Sequence, residues 1–92
     1  MASVQLTRHL HEFFPQLTGQ VLQVEAATVA DAIAEVEKRA PGFSFYICDE
    51  LGRLRQHVNI FVGDERIRDR QRLSDALAPD AHVMIMQALS GG

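Results

Sequence analysis

The sequence is short of the features that mark disulfide-stapled, membrane-spanning and nucleic-acid-binding proteins. Its 92 residues include a single cysteine, Cys48, so an internal disulfide is impossible, which suits the cytosol. No apolar run approaches the roughly 20 residues of a membrane span, and the first five residues lack the pattern of a signal peptide. The formal net charge of -3 implies no general affinity for nucleic acid or anionic membrane. We therefore expect a cytoplasmic protein whose partners are neither nucleic acids nor membranes.

The motifs of an autonomous enzyme are missing as well. There is no glycine-rich phosphate loop, no catalytic triad and no paired-carboxylate site. Cys48 follows the apolar run Phe45-Tyr46-Ile47, so we expect it to be buried and inert rather than a nucleophile or a sulfur relay. His9 and His11 share one side of a predicted strand, but no third ligand has metal-binding spacing. The sequence therefore predicts no metal site.

What the chain has is the composition of one soluble globular domain. Hydrophobic residues make up 47% and charged residues 23% of the chain, so disorder is not the default interpretation. Ninety-two residues are enough for one domain with its own core. We expect residues 1–88 to form this domain and residues 89–92 to form a flexible C-terminal tail.

The first half of the chain predicts two strands and a helix. Alternating apolar residues at Val4, Leu6 and, less regularly, Leu10 indicate the first strand, and residues 20–25 indicate a second strand paired back on it. Thr28, with Asp31 three positions on, resembles a capping-box start. Apolar residues at helical spacing indicate a helix after this start, and Pro41-Gly42 ends it. These apolar residues are Val29, Ile33, Val36 and Ala40.

The second half predicts a short helical or irregular segment and three strands. Residues 43–51 fit both the alternation of a strand and the spacing of a helical turn, and we favour a short irregular or helical segment. Residues 56–62 form the clearest strand, and Gly63-Asp64 is a hairpin-turn signal before a short return strand at 65–68. Leu73, Ala76 and Leu77 suggest one helical turn, and residues 82–86 form the last strand. The predicted order is β-β-α-(short)-β-β-β.

That order, closed by a strand that runs into Gly91-Gly92, resembles the MoaD/ThiS family of ubiquitin-like sulfur carriers. The resemblance covers the whole chain and is most specific at residues 58–64 and 83–92. It implies a β-grasp fold, which is an α+β fold with a mixed sheet of four to five strands and one main helix packed on one face. Two features depart from the family pattern: proline is absent near Gln87, and the loop at 49–56 is longer and more basic than in the shortest members.

The resemblance also implies a chemistry for the tail. The Gly92 carboxylate would be adenylated with ATP by an E1-like activating enzyme, and sulfur would then displace AMP to leave a thiocarboxylate for a sulfur-accepting enzyme. Gly91, Ser90 and Leu89 would pass through the partner's site, and glycine lacks the Cβ that would block a narrow slot. The chain would bind no cofactor and would act as a protein cosubstrate, or as a small subunit beside a molybdopterin-synthase-type large subunit.

Two alternatives to this carrier remain open from the sequence. A ubiquitin-like modifier would also be adenylated, but its Gly92 would form isopeptide bonds with lysines of target proteins. A β-grasp binding module would never use its tail. The pathway that receives the sulfur is also left open.

Two surfaces are candidates for docking. If Val58, Ile60, Val62, Val83 and Ile85 face the helix, strand alternation places Phe61, Met84 and Met86 on the opposite face, where they predict a partner-docking patch rather than edge packing or self-association. Six arginines make the second surface basic: Arg53, Arg55, Arg66, Arg68, Arg70 and Arg72. A solvated face is the simplest interpretation, and the alternatives are docking to an acidic partner or holding a phosphate-bearing substrate. We expect His57 and His82 to be solvated.

Overall fold

A mixed sheet covered on one face by helices forms the domain. A computed structural model describes residues 1–7, 10, 12, 14–17 and 21–87. Within these residues five strands pair in the order β2-β1-β5-β3-β4, with β1 and β5 parallel and the other neighbours antiparallel. The strands are β1 (Ala2–Leu6), β2 (Leu22–Val24), β3 (Val58–Val62), β4 (Glu65–Arg66) and β5 (His82–Gln87). The predicted element order and the α+β class are confirmed.

The core lies between one face of this sheet and helix α1 (Val29–Arg39). Alternate residues of the strands point into it, including Val4, Val58, Ile60, Val83 and Ile85, all of which are fully buried. The apolar stripe predicted on the helix is buried too, from Val29 to Ala40. Every second residue of a strand and about every 3.6th residue of the helix point the same way. The side chains that these two spacings turn inward pack together in one cluster.

Polar side chains set the two ends of α1. At its start Thr28 Oγ1 accepts a hydrogen bond from the Asp31 amide at 3.2 Å, which confirms the predicted cap. Beyond its end, Gly42 has φ +99°, a left-handed value that favours glycine. The Glu37 carboxylate accepts from the amides of Ser44 and Gly42, and these bonds hold its pKa below the ordinary value. The same bonds fix the start of helix α2 (Phe43–Ile47), so the first five residues of the segment predicted as short irregular or helical are a helix.

Several predicted strands are longer than the observed ones. The first strand ends at Leu6, and Leu10 is buried outside it, with its amide bonded to the Thr7 carbonyl at 3.0 Å. The second strand has three residues, β3 begins only at Val58, and β4 has two residues after the predicted turn at Gly63. Alternation in the sequence can therefore continue past the point where pairing between strands stops, as it does at Leu10.

The helical turn predicted around Leu73, Ala76 and Leu77 is wrong. Leu73 has φ +57°, and Ala76 forms an isolated antiparallel bridge with Thr28. Two carboxylates already bind the amides just before this segment: Asp75 accepts from residues 68 and 69, and Asp69 accepts from residues 71 and 72. The segment itself bonds to the start of α1: the carbonyls of Asp75 and Leu73 accept from the amides of Val29 and Ala30, and the Leu77 amide donates to the Ala27 carbonyl. Because its backbone groups are paired in this way, the segment keeps an irregular path. Leu73 and Leu77 are buried nonetheless.

Candidate functional site

The strand that leads into the tail is held from both sides. β5 pairs with β1 on one side and with β3 on the other, from Val62 opposite Val83 to Val58 opposite Gln87. Both of its edges are paired as far as Ile85, and Met86 and Gln87 continue the pairing with β3, so the position at which the strand ends is set by the sheet. Ala88 and the predicted tail come next in the sequence, and all of them lie outside the described residues; the tail residues are Leu89, Ser90, Gly91 and Gly92.

Helix α2 contacts Gln87, the last described residue before the tail. The Tyr46 hydroxyl donates a hydrogen bond to Gln87 Oε1 at 3.1 Å. The Tyr46 ring in turn packs edge-on against Phe14, with centroids 5.6 Å apart, and Phe14 packs in the same way on Phe43 at 5.3 Å. The exit of the tail is therefore connected to the core through aromatic contacts. Sequence reasoning missed this role of Tyr46, because 41 positions separate it from Gln87.

The face of the sheet opposite α1 carries the predicted apolar patch. Phe61 lies directly opposite Met84, and Asn59 lies opposite Met86. Phe61 and Met84 are half-buried, and Met86 is 39% exposed. The Arg66 guanidinium carbon is 5.7 Å from the Phe61 ring centroid, within range of a cation–π contact. The predicted placement of the three apolar residues is confirmed; their binding role stays a prediction.

We call this patch of Phe61, Met84 and Met86 the open face. Polar residues border it. On β1, Gln5 lies opposite Met84, and Ser3 lies opposite His82. The Ser3 hydroxyl and His82 Nδ1 are 2.9 Å apart and share a hydrogen bond. His82 is exposed, as predicted. An apolar centre with a polar border is the usual composition of a protein-binding surface.

Cys48 is placed for packing rather than chemistry. It is buried at the end of α2, and its backbone pairs with Leu54 in an isolated antiparallel bridge. Burial raises the pKa of the Cys48 thiol, the Asp49 carboxylate raises it further, and Arg55 opposes both. Since the thiolate is the reactive form, this environment disfavours a nucleophile or a sulfur relay.

The six arginines divide into two kinds. Arg53, Arg66, Arg68 and Arg72 are exposed, whereas Arg55 and Arg70 are half-buried and donate hydrogen bonds to the protein. His57 is exposed in the turn before β3. His9 and His11 lie outside the described residues. Within the part of the chain that the structure describes, no group of three His, Cys, Asp or Glu residues is placed to hold a metal ion, and no helix is long and apolar enough to cross a membrane.

Comparisons with known proteins agree on one family and one fold. The sequence matches the model of the ThiS family over residues 4–92. It is 34% identical over 79 residues to the sulfur carrier protein CysO of Mycobacterium tuberculosis, covering 82% of this chain and 85% of that protein. Two solved structures are similar over nearly their full lengths. In the BexX/CysO complex of Amycolatopsis orientalis, the matching chain is 25% identical with a TM-score of 0.83 and full coverage of both chains. SAMP1 of Haloferax volcanii is 22% identical with a TM-score of 0.78, covering 99% of this chain and 98% of that one, and this likeness concerns the fold.

Proposed function

Because this chain belongs to the ThiS family and is a small sulfur-carrier cosubstrate rather than an enzyme, we propose that its Gly92 carboxylate is the group that carries the sulfur. The observation that carries the proposal is the position of β5. It lies between β1 and β3, is paired on both edges as far as Ile85, and is followed in the sequence by the five residues that end in Gly91-Gly92. The body of the protein thus acts as a rigid holder for a short reactive end.

The chemistry proposed for Gly92 has two steps. In the first step a carboxylate oxygen attacks the α-phosphate of ATP in the activating enzyme, pyrophosphate leaves, and an acyl-adenylate forms. In the second step sulfide attacks the acyl carbon, the bond to AMP breaks, and a thiocarboxylate remains. A carboxylate alone is a poor electrophile, and adenylation supplies the leaving group that it lacks. A sulfur-accepting enzyme then uses the thiocarboxylate.

The length of the tail suits a recessed active site. Four residues follow Ala88, and fully extended they reach about 13 Å at 3.3–3.6 Å per residue. Docking of the body converts the encounter of Gly92 with the activating enzyme into an effectively intramolecular step. The chain itself then needs to supply only a binding surface and a correctly placed exit.

We assign that binding surface to the open face. Phe61, Met84 and Met86 lie on the two strands nearest the exit, and methionine side chains adapt to more than one partner. The CysO chain of Amycolatopsis orientalis forms a complex with another protein, BexX. By analogy the open face of this chain docks first the activating enzyme and then the sulfur-accepting one.

Removing the terminal glycine tests this function. The variant lacking Gly92 should form no acyl-adenylate and no thiocarboxylate when incubated with ATP, sulfide and a matched activating enzyme, as followed by intact-mass spectrometry. A residue added after Gly92 should have the same effect. The matched control is a residue added before Met1, which is exposed and lies at the other end of the chain. Full activation of the variant without Gly92 would contradict the proposal.

The same assay separates the carrier from a ubiquitin-like modifier. Replacement of one oxygen by sulfur marks the carrier. A series of adducts on lysines of added proteins, with no sulfur-bearing species, would instead mark the modifier.

A further inference from the structure

A groove lined by three arginines opens beside α2. The loop after this helix folds back on it, since Cys48 pairs with Leu54 and the Arg55 amide donates to the Ile47 carbonyl at 3.0 Å. The groove between this loop and residues 70–71 has a volume of about 520 Å³. Arg53, Arg55 and Arg70 line it, together with His57. We refer to it as the arginine groove.

Contacts with the protein hold the three guanidinium groups in place. Arg70 donates to Asn59 Oδ1 at 3.3 Å and to the Arg55 carbonyl at 2.7 Å. Arg55 donates to the Phe45 carbonyl at 3.0 Å, and Arg53 Nε donates to Asp49 Oδ2 at 3.0 Å. Each guanidinium has five N–H donors, and the bonds named here use one or two of them, so they orient the groups without using all the donors. Less side-chain entropy is then lost when a carboxylate binds.

The charge of the groove is opposite to that of the chain. Among the described residues that line it, Asp49 is the one carboxylate against three guanidinium groups. That carboxylate already accepts hydrogen bonds from the amides of Leu51 and Arg53 and from the Arg53 side chain. The chain as a whole has a formal charge of -3. A local excess of positive charge on an acidic protein favours an acidic ligand through charge complementarity.

Two exposed apolar residues, Phe45 and Leu51, adjoin residues that line the groove. Phe45 is 64% exposed, and the Arg55 guanidinium carbon is 5.8 Å from the centroid of its ring. Leu51, in the loop that forms the groove, is 70% exposed. A small inorganic anion would leave both side chains in water. A protein segment that carries acidic and apolar residues would cover them and bind the arginines together, and aromatic residues and arginine are enriched in protein interfaces.

The groove continues the open face and lies near the exit of the tail. Arg70 binds Asn59, which lies opposite Met86 on the open face. His57 directly precedes Val58, which pairs with Gln87, the last described residue before the tail. The apolar centre and the basic groove are therefore parts of one surface, arranged as the core and the rim of an interface.

We propose that the arginine groove binds an acidic, partly apolar segment of the enzyme that activates Gly92. This assignment rests on the proposed function, because the occupant is the enzyme that covers the open face. Charged residues at the rim of an interface act mainly on the rate of association and on its salt dependence. The groove thus steers the chain onto the enzyme with the tail directed at its active site.

A pair of matched charge reversals tests the proposal. Arg53 and Lys38 each form one ion pair, with Asp49 and Glu35, and their side chains are 53% and 71% exposed. Arg53→Glu and Lys38→Glu each change the formal charge from -3 to -5, but Lys38 lies on α1, which packs on the other face of the sheet. In thiocarboxylate formation we expect Arg53→Glu to raise KM for the chain about 10-fold with kcat unchanged. Lys38→Glu should keep the KM of the wild type.

The control outcomes separate this proposal from the function on which it rests. If the wild type forms thiocarboxylate and both variants share its KM and its salt dependence, the groove assignment is wrong and the carrier function stands. Thermal melts of both variants establish that they are folded.

A titration that needs no enzyme gives an independent readout. A short synthetic peptide of glutamates around a central phenylalanine should shift the amide NMR signals of residues 49–57 and 70–71, and the shifts should fade as sodium chloride screens the charges. Inorganic phosphate at the same ionic strength serves as the comparison. No shifts with the peptide, or equal shifts with phosphate, would overturn the assignment, even if the wild type forms no thiocarboxylate.

Discussion

Adjacent residues of β3 should respond in opposite ways to truncation, and this provides a sharp test of the fold and the docking face together. Ile60 is fully buried and lies opposite Ile85 in the middle of the sheet. Its replacement by alanine removes three carbons from a closed core and leaves a cavity. Such changes cost about 2–5 kcal/mol of unfolding free energy. Taking about 3 kcal/mol, and about 4–8 °C per kcal/mol for a domain of this size, the melting temperature should fall by about 12–24 °C.

Phe61 is the next residue and points to the open face. Truncation removes its cross-strand contact with Met84 and its contact with Arg66, each worth about 1 kcal/mol at a half-buried site. Phe61→Ala should therefore destabilise the protein far less than Ile60→Ala. It should weaken binding to the activating enzyme by about 1–3 kcal/mol if Phe61 is an anchor of the interface.

Urea unfolding and titration calorimetry measure the two effects separately. A variant that is destabilised without a change in m-value has lost packing rather than compactness. The reasoning is refuted if Phe61→Ala destabilises as much as Ile60→Ala, or if Ile60→Ala weakens binding more than Phe61→Ala at a temperature where both are folded. Either result would mean that the two faces of β3 are assigned wrongly.

The remaining predictions concern single polar or sulfur-bearing groups. Cys48→Ala should still form thiocarboxylate in the mass assay, because a buried thiol with a raised pKa is not a relay; a folded, adenylated variant that forms no thiocarboxylate would contradict this. Thr28→Ala should lower the unfolding free energy by about 1 kcal/mol through loss of the cap to the Asp31 amide, whereas Thr28→Ser should keep most of it, as read from urea midpoints. The Asp69 carboxylate accepts from the Ser74 hydroxyl and from backbone amides, which lower its pKa from 3.8 to about 2. Its contribution to stability should be present above about pH 4 and lost as the pH falls towards 2; this part of the pH dependence should disappear in Asp69→Asn but persist in Asp80→Asn.

Local patterns in the sequence were enough to predict the five strands, the main helix and which of their faces are buried, although not the exact ends of the strands. The alternation through residues 58–62 and 83–85 identified which side chains are buried, because a strand turns successive residues to opposite sides regardless of what it pairs with. Thr28 and Asp31 located the start of α1, because a helix cap is made within one turn. The Gly-Gly terminus and the strand before it indicated the family, which the match over residues 4–92 bears out.

Tertiary structure alone decided how these elements meet. The position of β5 between β1 and β3 depends on pairing between residues up to about 80 positions apart, as between Ser3 and His82, and no local pattern encodes it. The Tyr46 contact with Gln87 and the Arg70 contact with Asn59 arise only after α2 and the loop pack against the sheet. The irregular path at residues 73–77 has the same origin, because its backbone bonds to residues 27–30 at the start of α1 rather than within a helical turn. The spacing of apolar residues shows which face of a strand or helix is turned away from water. Which strands and helices become neighbours is decided by the arrangement that buries all the apolar faces together.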